Sequence, residues 1–447
     1  MKIYGLADCN SFFASCEKVF RPEWRDRPVV VLSNNDGCVI ARSAEAKPLV
    51  AMGTPYFRVR EQLARNGVIV RSSNFSLYGD LSRRVMLTLS QWTADMEVYS
   101  IDEAFLDLTG RFAEPAKREP AEVSLTLLEN KLSRLGKEIV ATVPRWTGIP
   151  ISFGVGPTKT LAKAANHIAK TRPDHYFSLI NPDTRQEVLE NQPIEEVWGV
   201  GGRLSKKFRL YGLKTAADLV RVDPKWIREN FSIVQEMTLR ELRGEECFLL
   251  ENEPPSPRSI RVSRSFGELI SSRDEVHRAI ALFATRAAEQ LRRRHCAAEA
   301  IFVQLDTNRF RTDQPQSHEA RTIGLGEPTS DTITILRHAK LLTDQVYKEG
   351  FAYQRGMVLL TGIVDQSTER SYRALFDTEE DQERRAKRFE LMRAVDQINH
   401  TFGKGKIHSA AESAAIGEDG PSWLPSSKFR SPCYTTCWAD LPVVKAK

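Results

Sequence analysis

The sequence has no apolar run long enough to cross a bilayer, no ligand-spaced group among its eight histidines and no cysteine framework. The first absence argues against a helical membrane span, and the second against a histidine-rich metal centre. The seven cysteines (Cys9, Cys16, Cys38, Cys247, Cys296, Cys433 and Cys437) are odd in number and scattered, which points to reduced thiols in the cytosol rather than a secreted, cross-linked fold. Only Cys433 and Cys437 have a spacing that zinc could use, and no second Cys/His pair lies near them. The opening "MKIYGLADCNSFF" has no signal-peptide pattern. No internal repeat is visible. A large charge of one sign is also missing: 64 Lys+Arg against 58 Asp+Glu leave +6, a mild basic balance that suits a polyanionic partner without requiring one. At 447 residues the chain is longer than one hydrophobic core usually serves, so several domains are expected.

Periodicity gives an α+β, multidomain reading. "KIYGLAD" reads as a buried strand ending at Asp8, and "SFFASCEKVF" as a helix with Ser11 at its N-cap. "RPVVVLSNNDGCVIARS" reads as a hairpin turning at Asp36-Gly37, and "SAEAKPLV" as a short helix broken by Pro48. "MEVYSIDEAFLDLTG" is a second hairpin with its tip at Asp102-Glu103, and "IPISFGVGPTKTLAKAANHIAK" is strand, Gly-rich turn, helix. These elements suggest a sheet with helices on one side. "ENEPPSPRS" (251–259) is the clearest linker. Beyond it, strand, helix, strand, helix and strand make a smaller α+β domain, and a charge-rich helix and irregular chain follow residue 365.

The chemistry centres on "YSIDEAF". Adjacent residues of a strand face opposite ways, so Asp102 and Glu103 can converge only where the alternation breaks, at a hairpin tip, with Asp8 beside them at the end of another strand. Three carboxylates without a nearby base suit hard cations, Mg²⁺ first, and two such ions serve in-line phosphoryl transfer. The alternative is an ordinary solvated turn. "GVGPTK" resembles a phosphate-cradling turn but lacks a full P-loop pattern. Gly199-Val200-Gly201-Gly202 between helices, followed by Arg203, Lys206 and Lys207, suits sequence-independent phosphate binding; the alternative is a plain helical hairpin.

Together, Asp8 with "FFASCE", "YSIDEAFLDL", "GVGPTKTLAKAANHIAK" and "VWGVGGRLSKKF" resemble the Y-family translesion DNA polymerases nearly end to end. "RPVVVLSNNDGCVIARSAEAK", "SSNFSLYGDLS" and "SPCYTTCWADL" are most similar to the UmuC branch, the catalytic subunits of bacterial polymerase V. The resemblance implies a right-hand polymerase: palm at 1–20 and 79–180, small fingers at 21–78, helix-hairpin-helix thumb at 181–250, linker at 251–259, little finger at 260–365, and a C-terminal extension at 366–447 for partner contacts. It implies two Mg²⁺ ions on Asp8, Asp102 and Glu103 with the Cys9 carbonyl, Phe13 as steric gate, Lys47 and Lys170 on the triphosphate, and Arg42 near the incoming base. The thumb residues Gly199 to Gly202, Lys206 and Lys207 would hold primer-template DNA. Implied partners are a UmuD′-like dimer, a RecA filament and the sliding clamp, in a cytoplasmic SOS response. Departures from the family pattern are Ala44 for a triphosphate-binding Tyr, Lys47 for Arg, and "YRALF" at the clamp motif, where Tyr372 replaces the leading Gln ahead of Leu375 and Phe376. Two other readings are a nucleotidyl cyclase, which would not need the Gly199–Gly202 hairpin, and a DNA-binding scaffold, against which the complete carboxylate set argues.

Overall fold

In the computed structural model, residues 1–112, 121–251, 256–371, 378–403, 405–412 and 423–443 are described. The chain divides into two compact units: Met1–Ser33, Gly37–Pro254 and Lys428–Lys447 form the first, and Asn34–Asp36 with Pro255–Ser427 the second.

The first unit is built on a five-stranded sheet of β1 (Tyr4–Cys9), β5 (Met96–Val98), β6 (Glu103–Asp107), β7 (Ile151–Gly156) and β8 (Tyr176–Ser178), in the order β5-β6-β1-β7-β8. β1 runs antiparallel to both neighbours, with Asp8 paired to Glu103 on one side and Ser152 on the other. Side-chain alternation divides β1. Ile3, Ala7 and Cys9 enter a core shared with α1 (Phe12–Val19), α3 (Phe75–Leu89) and α5 (Ala121–Thr147), whereas Tyr4 and Leu6 pack with Phe105 and with Ala162 of α6 (Lys159–Ala169). Helices therefore cover both faces, not one as the pattern suggested. The apolar residues of "KIYGLAD" do not alternate with polar ones because both faces are buried.

The "GVGPTK" stretch is a packing device rather than a phosphate loop. Gly154 and Gly156 lie in β7, and a Cβ on either would meet the backbone of α6 at 2.2 Å (Asn166 N) or 2.7 Å (Ala162 N). Over that gap Asn166 donates from Nδ2 to the carbonyls of Leu6 and Ser152, both 2.9 Å, and so fixes α6 against the centre of the sheet.

A second, three-stranded sheet has the order β3-β2-β4, from β2 (Val29–Leu32), β3 (Val39–Arg42) and β4 (Ile69–Ser72). The β2–β3 hairpin forms where expected, but its positive φ values fall on Asn35 and Asp36 and not on Gly37. The segment read as a Pro48-broken helix is one 3-10 turn, Ala44–Ala46. Helix α2 (Tyr56–Arg65) and β4, which runs parallel to β2, were not visible in the pattern. Ser11 precedes α1 but does not cap it: its φ of 49° and ψ of 44° are left-handed and its hydroxyl makes no cap bond. The rest of the unit has one turn, α4 (Thr109–Phe112), and the helices α7 (Pro182–Asn191), α8 (Gly202–Leu210), α9 (Ala216–Arg221), α10 (Pro224–Asn230) and α11 (Ile233–Leu242) around Phe208, Ile227 and Leu239.

The second unit is a four-stranded antiparallel sheet, β11-β10-β12-β9, from β9 (Ser259–Ile270), β10 (Cys296–Thr307), β11 (His318–Thr329) and β12 (Tyr353–Asp365). Helices α12 (Arg273–Arg293) and α13 (Thr332–Val346) close its core, and α14 (Gln366–Ser371) and α15 (Glu379–Phe402) follow.

Candidate active site

Asp8 and Glu103 are register partners at the ends of β1 and β6, on the face that carries Leu6, Phe105 and α6. Both side chains are mostly buried. Two lysines of the α6 segment close the group. Lys170 Nζ, just past the end of the helix, reaches Asp8 Oδ2 at 2.7 Å, and Lys163 Nζ reaches Glu103 Oε2 at 2.8 Å. Lys163 also lies over the rings of Tyr99 and Trp198, at 4.7 and 5.3 Å from their centroids. Burial pushes the Asp8 carboxyl up to about 7; Lys170 pulls it down, and Glu103 adds to the rise. Burial raises Glu103 too, but the bonds from Asp8 and Lys163 outweigh it and hold its carboxyl below the usual value.

Asp102 sits in the tip of the β5–β6 hairpin, as its sequence suggested, whereas Glu103 is not at the tip but the first residue of β6. The Asp102 carbonyl accepts from the Cys9 amide at 2.8 Å and thereby ties β6 to β1, while its Oδ1 accepts from the Ser100 hydroxyl. The three carboxylates are not gathered in one shell: among the described residues no group of three or more His, Cys, Asp or Glu side chains is placed to hold a metal. The Asp8–Glu103 pair fits a hard divalent cation by charge and by oxygen chemistry, and Asp102 joins it only by turning away from Ser100. The Cys9 thiol points into the opposite core, where burial pushes it well up, so only the backbone of Cys9 is open to the site.

Phe13, on the first turn of α1, is half-buried. Its ring stacks on Tyr78 at 4.6 Å and meets the edge of Phe75 at 5.9 Å. Arg42, at the end of β3, donates to the Val50 carbonyl at 2.7 Å, and Lys47 is exposed behind the turn Ala44–Ala46. At the other candidate locus, Gly199 has φ +84°, Val200 is buried, and Gly201 is the N-cap of α8 with Gly202 its first residue. A Cβ on Gly199, Gly201 or Gly202 would meet nothing within 4 Å, which leaves this turn open. Lys206 is exposed. Lys207 instead bonds the Asn230 carbonyl and lies 4.4 Å from the Phe231 ring. Tyr372, Leu375 and Phe376 lie outside the described residues.

The chain is 41% identical over 449 residues to Protein UmuC of Salmonella typhimurium strain LT2, covering 99% of this chain and 100% of the relative. It belongs to the impB/mucB/samB family. The impB/mucB/samB model matches residues 7–167, its C-terminal domain residues 257–372, and a domain of unknown function (DUF4113) residues 390–444. Protein SamB of Salmonella typhimurium is also 41% identical, over 99% of this chain and all of its own length. DNA polymerase IV of Caulobacter vibrioides is 28% identical over 90% of the chain and 91% of its own. Among solved structures, the chimera of the Y-family DNA polymerases Dbh and Dpo4 superposes with a TM-score of 0.63 at 20% identity, covering 81% of this chain and 99% of the chimera. This impB/mucB/samB protein therefore has the fold of a Y-family DNA polymerase, and it is an enzyme of that class.

Sequence reasoning missed Lys163 and Trp198. The available signal was the spacing of Lys159, Lys163 and Lys170, which repeats at four and seven residues and so puts three cations on one face of an otherwise small-residue helix. Lys159 pairs with the buried Glu97 and the Leu249 carbonyl, a structural role.

Proposed function

We propose that this chain is an error-prone translesion polymerase that adds deoxynucleotides to a primer 3′-hydroxyl opposite damaged template. The observation that carries the reading is the buried Asp8–Glu103 pair at paired strand ends, neutralised by Lys163 and Lys170. Asp8, Glu103 and a reoriented Asp102, with the Cys9 carbonyl, would hold two Mg²⁺ ions. Bound there, magnesium would lower the charge of the triphosphate and favour the ionised 3′-hydroxyl. The lysines free to leave the carboxylates would then face the triphosphate, Lys170 first because it is the more exposed of the two.

Phe13 would bar a 2′-hydroxyl by collision with its face, held from behind by Tyr78. Arg42 and Lys47 would approach the incoming nucleotide from the small three-stranded subdomain. The open turn at Gly199–Gly202 and Lys206 would hold backbone phosphates without reading bases. A small subdomain that encloses the new pair loosely tolerates a damaged base and discriminates less by shape.

Induction in the SOS response, work in the cytoplasm, and association with a UmuD′-like dimer, a RecA filament and the sliding clamp through Leu375 and Phe376 belong to the same proposal. Among the described residues no helix is long and apolar enough to cross a membrane. Primer extension on gapped and lesion-bearing templates, with Mg²⁺ and deoxynucleotides, tests the reading. Lesion-tolerant extension is expected. Template binding without nucleotide addition would favour the scaffold reading, and cyclisation of a nucleoside triphosphate the cyclase.

A further inference from the structure

The last described stretch of the chain returns to the first unit and packs against α1, the helix that carries Phe13. The Phe429 amide donates to Ser72 Oγ at 2.9 Å, the Ser72 amide to the Phe429 carbonyl at 3.2 Å, and Arg430 forms a parallel bridge with Ser72, so the tail extends the sheet at the end of β4. Tyr434 is buried and stacks on Phe20 at 4.7 Å, just past α1.

Between these anchors Ser431 is buried in a relay of hydrogen bonds. Asn74, the N-cap of α3, donates from Nδ2 to Ser431 Oγ at 2.9 Å and to the Ser431 and Pro432 carbonyls at 3.2 and 3.3 Å. Ser431 Oγ donates to Glu17 Oε1 at 3.1 Å, and the same oxygen accepts from the Tyr78 hydroxyl at 2.8 Å. Glu17 Oε2 is buried without a hydrogen-bond partner, so Oε1 makes all the hydrogen bonds of this buried acid. Tyr78 then carries the Phe13 ring, stacked at 17°.

Phe13 and Glu17 sit one turn apart on α1, and Asn74 and Tyr78 one turn apart on α3. The tail therefore ties together the two helices that set the gate. We propose that Ser431, acting through Glu17 and Tyr78, is a positioning residue for Phe13, and that the segment Lys428–Tyr434 thereby sets how strictly the enzyme excludes ribonucleotides. This gives the C-terminal domain of unknown function a role inside the polymerase centre. The inference rests on the polymerase reading and on Phe13 as gate. Loss of the Ser431 hydroxyl leaves Glu17 with one neutral donor and lets Tyr78 shift, and the Phe13 ring moves with it. A hydrogen bond of ordinary net strength corresponds to about a threefold to tenfold change in an equilibrium.

The test compares kcat/KM for ribo- and deoxynucleotides in wild type, Ser431→Ala, Ser431→Thr and Phe13→Ala, together with hydrogen exchange of the α1 and α3 amides. Ser431→Ala should raise the ribo-to-deoxy ratio about threefold to tenfold, leave deoxynucleotide kcat unchanged, and speed exchange in the first turn of α3. Ser431→Thr should restore both. If Phe13→Ala raises the ratio and Ser431→Ala does not, the positioning role is refuted while the polymerase reading stands. If Phe13→Ala leaves the ratio unchanged, the gate assignment fails and the inference falls with it. Exchange in α1 and α3 that is identical in Ser431→Ala and wild type refutes the relay without any appeal to activity.

Discussion

Lys163 holds Glu103 from the same helix face on which Lys170, two turns further on, holds Asp8, so each acid of the buried pair has its own cation. Each ion pair stands in for charge that a divalent cation would supply. Removing an acid should then hurt the reaction far more than the fold. Asp8→Asn and Glu103→Gln should each lower primer extension by more than about a hundredfold. Primer-template affinity, read by fluorescence anisotropy, should stay within about twofold. Near-wild-type extension by either variant would end the metal-site assignment.

Lys163→Met tests the same idea from the opposite side. It leaves Glu103, mostly buried, without its partner and should cost about 1–3 kcal/mol in metal-free buffer. Added Mg²⁺ should recover much of that loss, because the cation replaces the missing ammonium. Thermal melts with and without Mg²⁺ decide this. An equal loss in both would make Lys163 purely structural.

The glycine turn separates backbone strain from ligand approach. Gly199 has φ +84°, so Gly199→Ala should destabilise by about 1–2 kcal/mol. Gly201 has φ −80° and ψ 170°, which any residue adopts, and open space about its Cβ. Gly201→Val should keep the wild-type melting temperature and weaken binding to all DNA sequences alike. A loss confined to some sequences would contradict phosphate binding.

Glu17 gives a pH signature. Burial raises its carboxyl above the ordinary 4.5, against the pull of the Tyr78 and Ser431 hydroxyls and Arg71. The folded chain keeps that proton to higher pH than the unfolded chain. This stabilisation is full below the ordinary value and is lost as pH rises toward the raised one. Glu17→Gln keeps an acceptor for Tyr78 and cannot ionise, so its melting temperature should gain on wild type as pH rises from 4.5. A difference that does not vary with pH would show that Glu17 is not held as a buried acid.

The meeting of Asp8 with Glu103 was legible because chemistry interrupts pattern there, whereas the Asp102 carboxylate turns to Ser100. Asp102 and Glu103 break an apolar run, and a pair of acids in such a place needs a partner. What stayed hidden was long-range or polar. β11 is an edge strand with few buried side chains, so it has no apolar alternation to read. α2 buries only Leu63, too narrow a stripe to mark a helix. The glycines of "GVGPTK" suggested a ligand, because a sequence does not reveal that a helix backbone will press on them. Nor does any local pattern tell that Ser431 will meet Glu17.

That meeting also orders events in time. The bond from Ser431 to Glu17 joins residues 414 positions apart. A nascent chain can assemble the strands and helices of its first 250 residues, yet Glu17 and Asn74 wait for their last partners until residue 431 has left the ribosome. Contacts of such separation form late, after the chain between them is ordered. A chain cut short before that point would keep its carboxylates and lack the Ser431 bonds that join Glu17 of α1 to Asn74 at the start of α3.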